Sequence, residues 1–305
     1  MILIALAVLA SVAAGAVAER RRRAAAQRAG RRVLDAMLYV LVPFVTFFNI
    51  AHLHLSSGVG GGIGLAYLEL AVVGGLAWTA GTRWLRLERP AIGALICATV
   101  LANTGYLGLP LALAVLGSRS VGAAIAFDAL VSGPMLLVVG FALGAAYGTR
   151  AGETRSERVR AFVARNPPLL AVAAGLLAPA GAAPHALLDV SRGVVVALLP
   201  LGFFVLGVTL SAEAETGVLR LRPASARPLA VAVGLRLIVA PALMLGLSAA
   251  VPGVPDAYLL QAAMPTAINT LLVAHAYGLD QRLASAAIAW STALVILVGV
   301  VATAA

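Results

Sequence analysis

The chain has 305 residues, of which 62% are hydrophobic and only 11% are charged, and its mean hydropathy is +1.01. This composition leaves too little polar surface for a water-soluble globule and predicts a polytopic membrane protein. The net charge of +10 does not indicate a nucleic-acid partner, because the 22 basic residues are all Arg and cluster between apolar runs, as topology signals do.

Ten runs are apolar and long enough to cross a bilayer, which takes about 20 residues. The predicted spans are residues 1–18, 33–54, 61–82, 90–116, 121–147, 166–183, 188–211, 228–251, 255–277 and 281–304. In the first run the charges, Glu19 and residues 20–23, follow the apolar stretch. This order predicts a retained helix and not a signal peptide.

The arginines predict the orientation of these spans. Nineteen of the 22 lie in odd-numbered loops, and only Arg119 lies in an even-numbered loop. Because cytoplasmic loops carry an excess of Arg, we expect both termini to face the outside of the plasma (inner) membrane. The longest cytoplasmic connection, residues 149–165, would separate a first five-helix unit, residues 1–148, from a second, residues 166–305.

Prolines recur at matching places in these two units. Pro43 precedes Pro110 by 67 residues, and Pro200 precedes Pro265 by 65. The spacing predicts an internal repeat. Because five is odd, the second unit would cross the membrane in the opposite sense, which gives an inverted repeat.

The fourth and ninth spans are each interrupted by helix-breaking and polar residues, within residues 101–111 and 261–270. Backbone freed from helical pairing at membrane depth is tolerated only where it is buried in protein or lines a cavity, so such a break usually marks a binding site. The predicted substrate-binding residues are Asn103, Thr104, Gly105, Gly108, Pro110, Gln261, Pro265, Thr266 and Asn269. The alternative is that the Asn and Thr side chains only satisfy backbone exposed at the kinks.

The chemistry of the breaks favours an anion. We expect Pro110 and Pro265 each to end one half-helix and to start another, because proline lacks an N–H and clashes with the preceding turn. The N-terminus of a restarted helix carries roughly half a positive charge. Asn103 and Asn269 would add hydrogen-bonding groups, and Gly105 would allow close approach to the backbone.

These segments resemble a known family. Asn103-Thr104-Gly105-Tyr106-Leu107-Gly108-Leu109-Pro110-Leu111, Met264-Pro265-Thr266-Ala267-Ile268-Asn269 and Asn166-Pro167 are similar to signatures of the auxin efflux carrier family. Its members are secondary transporters of small organic anions, including auxin in plants and dicarboxylates such as malate in bacteria. The resemblance implies an all-α fold of ten helices in two inverted five-helix repeats, as in bile acid/sodium symporters, with helices four and nine broken and crossing at the substrate site. The central loop is short here, so a regulatory role for it is not carried over.

Three charged residues lie inside predicted spans, where each costs about 2.5–3.5 kcal/mol. Glu69 and Asp128 are candidates for carrying a coupling proton, or either could pair with Arg236 and join the two halves. For Arg236 we favour a structural role, because it stays protonated and could extend toward the cytoplasmic interface. We expect His275 to bond to a neighbouring loop, although it could titrate near neutrality.

The sequence therefore predicts a secondary transporter of a small organic anion that works by alternating access. Spans one, two, six and seven would form a scaffold, and the other six spans would form the moving domain. The alternatives are a cation/proton antiporter of related fold and a non-transporting membrane sensor. An enzyme is not expected, since neither Gly-x-Ser-x-Gly nor His-Glu-x-x-His occurs. No cofactor or metal is expected, whereas a coupling proton or sodium ion and a homodimer stay open.

Overall fold

Helices make up nearly all of the described chain. The computed structural model describes residues 2–51, 60–150, 154–164, 167–178, 184–215 and 223–304. Within these ranges, extended pairing is confined to one isolated bridge between Ala102 and Thr266. The prediction of an all-α chain is confirmed for this part of the protein. Asn166 and the predicted ends of the second and sixth spans lie outside the described residues.

The α-helices follow one another in the order of the predicted spans. They are α1 (Ile2–Ala36), α2 (Val42–Ala51), α3 (Gly60–Thr79), α4 (Arg89–Val100), α5 (Leu109–Leu116), α6 (Val121–Phe127), α7 (Phe141–Tyr147), α8 (Arg155–Ala164), α9 (Pro167–Leu177), α10 (His185–Glu215), α11 (Pro223–Gly234), α12 (Ala240–Ser248), α13 (Asp256–Ala262), α14 (Asn269–Tyr277) and α15 (Gln281–Ala304). π-helical turns join several of them, at Met37–Leu41, Ala80–Trp84, Thr104–Gly108, Asp128–Ser132, Met135–Gly140 and Leu235–Val239.

Four helical runs are long and apolar enough to cross a membrane. They are Gly62–Trp84, Gly122–Tyr147, Ala226–Ser248 and Gln281–Gly299. These runs coincide, to within a few residues at most ends, with the predicted third, fifth, eighth and tenth spans. Large apolar side chains on them are exposed at the protein surface, including Leu68, Ile238 and Leu297. An apolar exterior of this kind suits contact with lipid, so the chain is a multi-pass membrane protein.

The first two predicted spans are joined differently from the expectation. The sequence predicts a loop between residues 18 and 33, whereas the structure is helical on both sides of a sharp break at Arg22 (φ −143°, ψ 59°). The Ala and Arg residues of this segment have high helix propensity, which accounts for the difference. Gly15 and Gly30, on opposite sides of the break, both approach the same part of α10.

Small residues bring α1 and α10 into close contact. A Cβ atom on Gly15 would overlap the backbone oxygen of Phe204, and one on Gly207 would overlap the backbone oxygen of Val12. Glycine at such positions lets two helix backbones approach within membranes, where dispersion contacts take over the role of the hydrophobic effect.

The helices form two groups by their contacts. One group contains α1, α2, α9 and α10, in which α1 packs along α10 and α2 packs on α9. In the second group α3 packs on α4 and α12, and α15 packs on α4, α11 and α14. The groups meet where α10 contacts α15 and where Gly202 lies against Ile268. This grouping matches the expected division of the spans into two groups.

Candidate functional site

The two interrupted helices meet at their breaks. The chain leaves the helical conformation after α4 and again after α13, and the two extended segments pair in an antiparallel bridge. The Asn103 N–H donates to the Pro265 carbonyl at 2.8 Å, and the Ala267 N–H donates to the Leu101 carbonyl at 2.8 Å. Each break therefore supplies hydrogen-bond partners that the other break needs in the absence of water.

Hydroxyl groups complete this pairing. The Thr266 hydroxyl donates to the Ala98 carbonyl at 2.7 Å, and the Thr266 N–H donates to Ser291 Oγ at 3.1 Å. Thr266 thus satisfies exposed backbone, as the alternative interpretation of the Asn and Thr side chains proposed. The sequence analysis did not identify Ser291, on α15, as part of this pairing. The one feature of the sequence that could have indicated it is a hydroxyl side chain within an apolar span.

The position of Pro110 corrects one prediction. The first half-helix ends at Val100, and helical structure resumes at Thr104, so Pro110 lies inside the resumed run as the second residue of α5. The expectation that Pro110 ends the first half-helix is wrong, because the bridge between Ala102 and Thr266 places the break earlier in the chain. Pro110 does lie at the first positions of an α-helix, as expected. Pro265 lies within the second extended segment, and α14 begins after it.

Two helix N-termini point at the crossing, those of the run Thr104–Leu116 and of α14. Asn103 directly precedes the first, is only 2% exposed, and its side-chain Nδ2 has no hydrogen-bond partner. Asn269 is the first residue of α14, and its buried Oδ1 is likewise unpartnered. A buried polar atom left unpaired costs about 1–3 kcal/mol, which a bound ligand could offset.

Gly108 and Gln261 bring the two half-helices into contact. A Cβ atom on Gly108 would overlap Gln261 Oε1 and lie 3.0 Å from Met264 Cγ. The Gln261 side-chain Nε2 donates to the Ala124 carbonyl at 3.2 Å, while its Oε1 has no partner. The absence of a side chain at Gly108 therefore makes room for an amide at the crossing.

The side chain of Asp128, on the turn Asp128–Ser132 of the fifth span, lies beside the N-terminus of the helix that resumes at Thr104. The Thr104 hydroxyl donates to Asp128 Oδ1 at 2.5 Å. A Cβ atom on Gly105 would be 3.3 Å from Oδ1 and 3.4 Å from Oδ2 of the same carboxylate. Glycine at this position thus allows the carboxylate close to the helix terminus, where a negative charge is stabilised.

Arg236 interacts with the opposite ends of the broken helices. It is fully buried, and its Nη1 donates to the Thr99 carbonyl at 2.9 Å while its Nη2 donates to the Ala262 carbonyl. These carbonyls lie at the C-termini of α4 and α13, where a cation is favourable. The expectation that Arg236 extends toward the cytoplasmic interface is therefore wrong. Arg236 instead caps the C-termini of α4 and α13.

Glu69 is the acidic residue that acts on Arg236. The two side chains interact electrostatically, although neither carboxylate oxygen of Glu69 has a hydrogen-bond partner. Glu69 lies on α3 and Arg236 on the turn between α11 and α12, so the charges link the two halves of the chain. The sequence analysis offered Glu69 and Asp128 as alternative partners of Arg236. The structure favours Glu69, since Asp128 bonds to Thr104.

His275 connects the two helix groups. Its Nε2 lies 3.1 Å from Asp35 Oδ1 on α1. The sequence analysis expected His275 to bond to a neighbouring loop. Its partner is instead a residue of α1, a helix of the first group. Asp35 was missed, because it lies between an apolar span and a basic cluster and has no distinguishing local pattern.

Comparisons with known proteins find similarity to membrane transporters. A family model described as membrane transport protein matches residues 194–302, which include Arg236 and the second break. An uncharacterized transporter of Methanocaldococcus jannaschii is 28% identical over 281 residues, which cover 87% of this chain and 85% of that protein. The fold and these similarities define a membrane transporter. Both similarities are compatible with the resemblance of its motifs to the auxin efflux carrier family.

Proposed function

We propose that the protein is a secondary transporter that carries a small organic anion, such as a carboxylate, across the plasma membrane. One observation carries the proposal: two helix N-termini meet at the crossing, and the Asn beside each has a buried, unpaired polar atom. N-terminal N–H groups and amides suit a carboxylate, which accepts hydrogen bonds and carries negative charge.

The proposed architecture is ten helices in two inverted five-helix repeats, residues 1–148 and 166–305, joined by residues 149–165. The matching breaks of the fourth and ninth helices and their antiparallel pairing support this arrangement. Both termini would then face outward.

The electrostatics of the crossing favour an anion over a cation. The negative ends of α4 and α13 are already capped by Arg236, so they do not offset the positive ends of the resumed helices. In the proposed site Asn103 and Asn269 contact the anion directly, and Gly105 and Gly108 keep the backbone accessible. The proposed site also includes Thr104, Pro110, Gln261, Pro265 and Thr266.

Alternating access would move the helix group that contains the crossing against the group of α1, α2, α9 and α10. The contacts that must change include the Asp35 to His275 pair and the packing of Gly202 on Ile268. Candidates for a coupling proton are Glu69 and Asp128, and sodium is the alternative coupling ion.

Uptake into proteoliposomes tests the function. A thermal-shift screen of mono- and dicarboxylates and aromatic acids selects anions, and the purified protein should then transport the selected radiolabelled anion saturably, unlike protein-free liposomes. Stabilisation without uptake would indicate a sensor. Sodium-for-proton exchange that is independent of every anion would indicate the antiporter.

A further inference from the structure

Asp128 lies where the substrate's negative charge would bind. Its carboxylate accepts a hydrogen bond from Thr104, the first residue of the resumed helix, and lies beside Gly105. The helix has 13 residues in the run Thr104–Leu116, long enough for its N-terminus to attract an anion. A second feature at the same terminus is Asn103, which is buried and has an unpaired Nδ2.

No cation compensates this carboxylate among the described residues. The interactions acting on Asp128 are burial and the Thr104 hydroxyl. The titratable groups on the elements packed against it are Tyr106, on the resumed helix, and Tyr67 and Glu69, on α3. The Tyr67 hydroxyl donates to the Leu130 carbonyl at 2.6 Å, and Glu69 interacts with Arg236. Among the described residues, the helix terminus and the Thr104 hydroxyl are therefore the groups that stabilise the ionised form of Asp128.

Two anions at one helix terminus repel each other. A negative charge about 5 Å from an ionised carboxylate is disfavoured by about 3 kcal/mol at an effective dielectric constant of about 20. A substrate carboxylate can therefore bind well only when Asp128 is protonated. The net charge of the site is then the same in the empty state, with ionised Asp128, as in the loaded state, with neutral Asp128 and bound anion.

We propose that the ionised carboxylate of Asp128 competes with the substrate anion for the helix N-terminus at Thr104. One proton must therefore bind to Asp128 for each substrate carboxylate that binds there. This inference rests on the proposed anion site. The proton enters from the side on which the anion binds and leaves with it on the other side, when Asp128 again bonds to Thr104 in its ionised form. The cycle is proton and anion symport, and it breaks no covalent bond other than the O–H of the carboxyl group.

The position of Asp128 favours it over Glu69 as the coupling residue. Asp128 is only partly buried and has no compensating cation among the described residues, whereas Glu69 is fully buried and compensated by Arg236. Asp128 is also the carboxylate that touches a residue of the proposed substrate site.

The test is the pH dependence of anion binding, with L-malate and indole-3-acetate as probes between pH 6 and pH 8.5, where their carboxyl groups stay ionised. In the wild type we expect affinity to fall as pH rises, by up to about tenfold per unit and about 150-fold in total, because one proton is taken up per anion. Asp128→Asn keeps the acceptor for Thr104 and removes the charge. It should bind with the same affinity throughout this pH range and, at pH 8.5, about 150-fold more tightly than the wild type, the fold-change that corresponds to about 3 kcal/mol.

Calorimetry in two buffers of different ionisation enthalpy gives the second measurement. The wild type should take up about one proton per bound anion, and Asp128→Asn should take up none. Asp256→Asn, which removes an exposed acid at the start of α13, is the matched control and should behave as the wild type. Glu69→Gln should keep the pH dependence.

The outcomes separate the two proposals. Binding by Asp128→Asn with the wild-type pH dependence, or loss of that dependence in Glu69→Gln, would overturn the role of Asp128 while leaving the anion site in place. If neither the wild type nor Asp128→Asn binds either probe, the anion site and the inference both fail for these carboxylates. Binding by Asp128→Asn alone would support both.

Discussion

Substitution of Gly108 tests the contact between the two broken helices. In Gly108→Ala the new methyl group would overlap Gln261 Oε1 and lie 2.9 Å from Gln261 Cδ and 3.0 Å from Met264 Cγ. Gln261 cannot turn away without loss of its hydrogen bond to the Ala124 carbonyl. The variant should therefore be less stable than the wild type, although alanine is the better helix former.

The magnitude follows from three contributions. Overpacking costs about 1–3 kcal/mol, and loss of the Gln261 hydrogen bond costs about 1 kcal/mol. Replacing glycine by alanine in a helix gains about 1 kcal/mol. We expect a net loss of about 1–3 kcal/mol. The control is Gly75→Ala on α3, where a Cβ atom meets nothing within 4 Å, so that variant should be as stable as the wild type or slightly more so.

Thermal melting and SDS unfolding of the purified variants measure this difference, and a double-mutant cycle assigns it to the contact. In a Gln261→Ala background only the contact with Met264 Cγ remains, so Gly108→Ala should cost about 1–3 kcal/mol less than it does alone. If Gly108→Ala is as stable as Gly75→Ala, or if it costs the same in both backgrounds, the half-helices do not meet as described.

Two further predictions concern the buried cation and the topology. Arg236→Met leaves Glu69 uncompensated and two carbonyls unpaired, so we expect a loss of about 3–5 kcal/mol. Adding Glu69→Gln to Arg236→Met should recover part of that loss in a thermal-melting assay, and an unchanged melting temperature in Arg236→Met would contradict the capping role. In a cysteine-free background, single cysteines at Ser57 and Ala183, which lie outside the described residues, should react with an impermeant maleimide from outside, and one at Ala161 should not. Labelling of all three, or of Ala161 alone, would overturn the ten-span topology.

The sequence predicts the breaks well because their cause is local. Gly and Pro within an apolar run weaken helical pairing wherever the chain folds, so two interrupted helices could be expected without a structure. The point of interruption could not be predicted. It depends on the bridge between Ala102 and Thr266, which are far apart in the sequence, and Pro110 is accommodated within a helix as a result.

The roles of the charged residues needed the structure for a similar reason. The cost of a charge in a membrane indicates that Arg236 has partners, yet the partners are carbonyls at the ends of α4 and α13, which no local pattern identifies. The bond between Thr104 and Asp128 joins neighbouring spans, and its significance depends on where the resumed helix begins. Local chemistry therefore predicted which residues are unusual, and tertiary contacts determined what they do.

Anion affinity in variants of the two crossing asparagines tests the central claim most directly. Asn103→Ala and Asn269→Ala should each weaken binding of the transported anion by about 1–3 kcal/mol, or roughly 5- to 150-fold, because each removes a group that is proposed to bond to the anion. Thr79→Ala, at an exposed position on α3, is the control and should bind as the wild type does. Affinity and melting temperature are measured on the same purified protein. Asparagine variants that melt earlier yet bind with unaltered affinity would show that these side chains only support the broken helices and that the anion binds elsewhere.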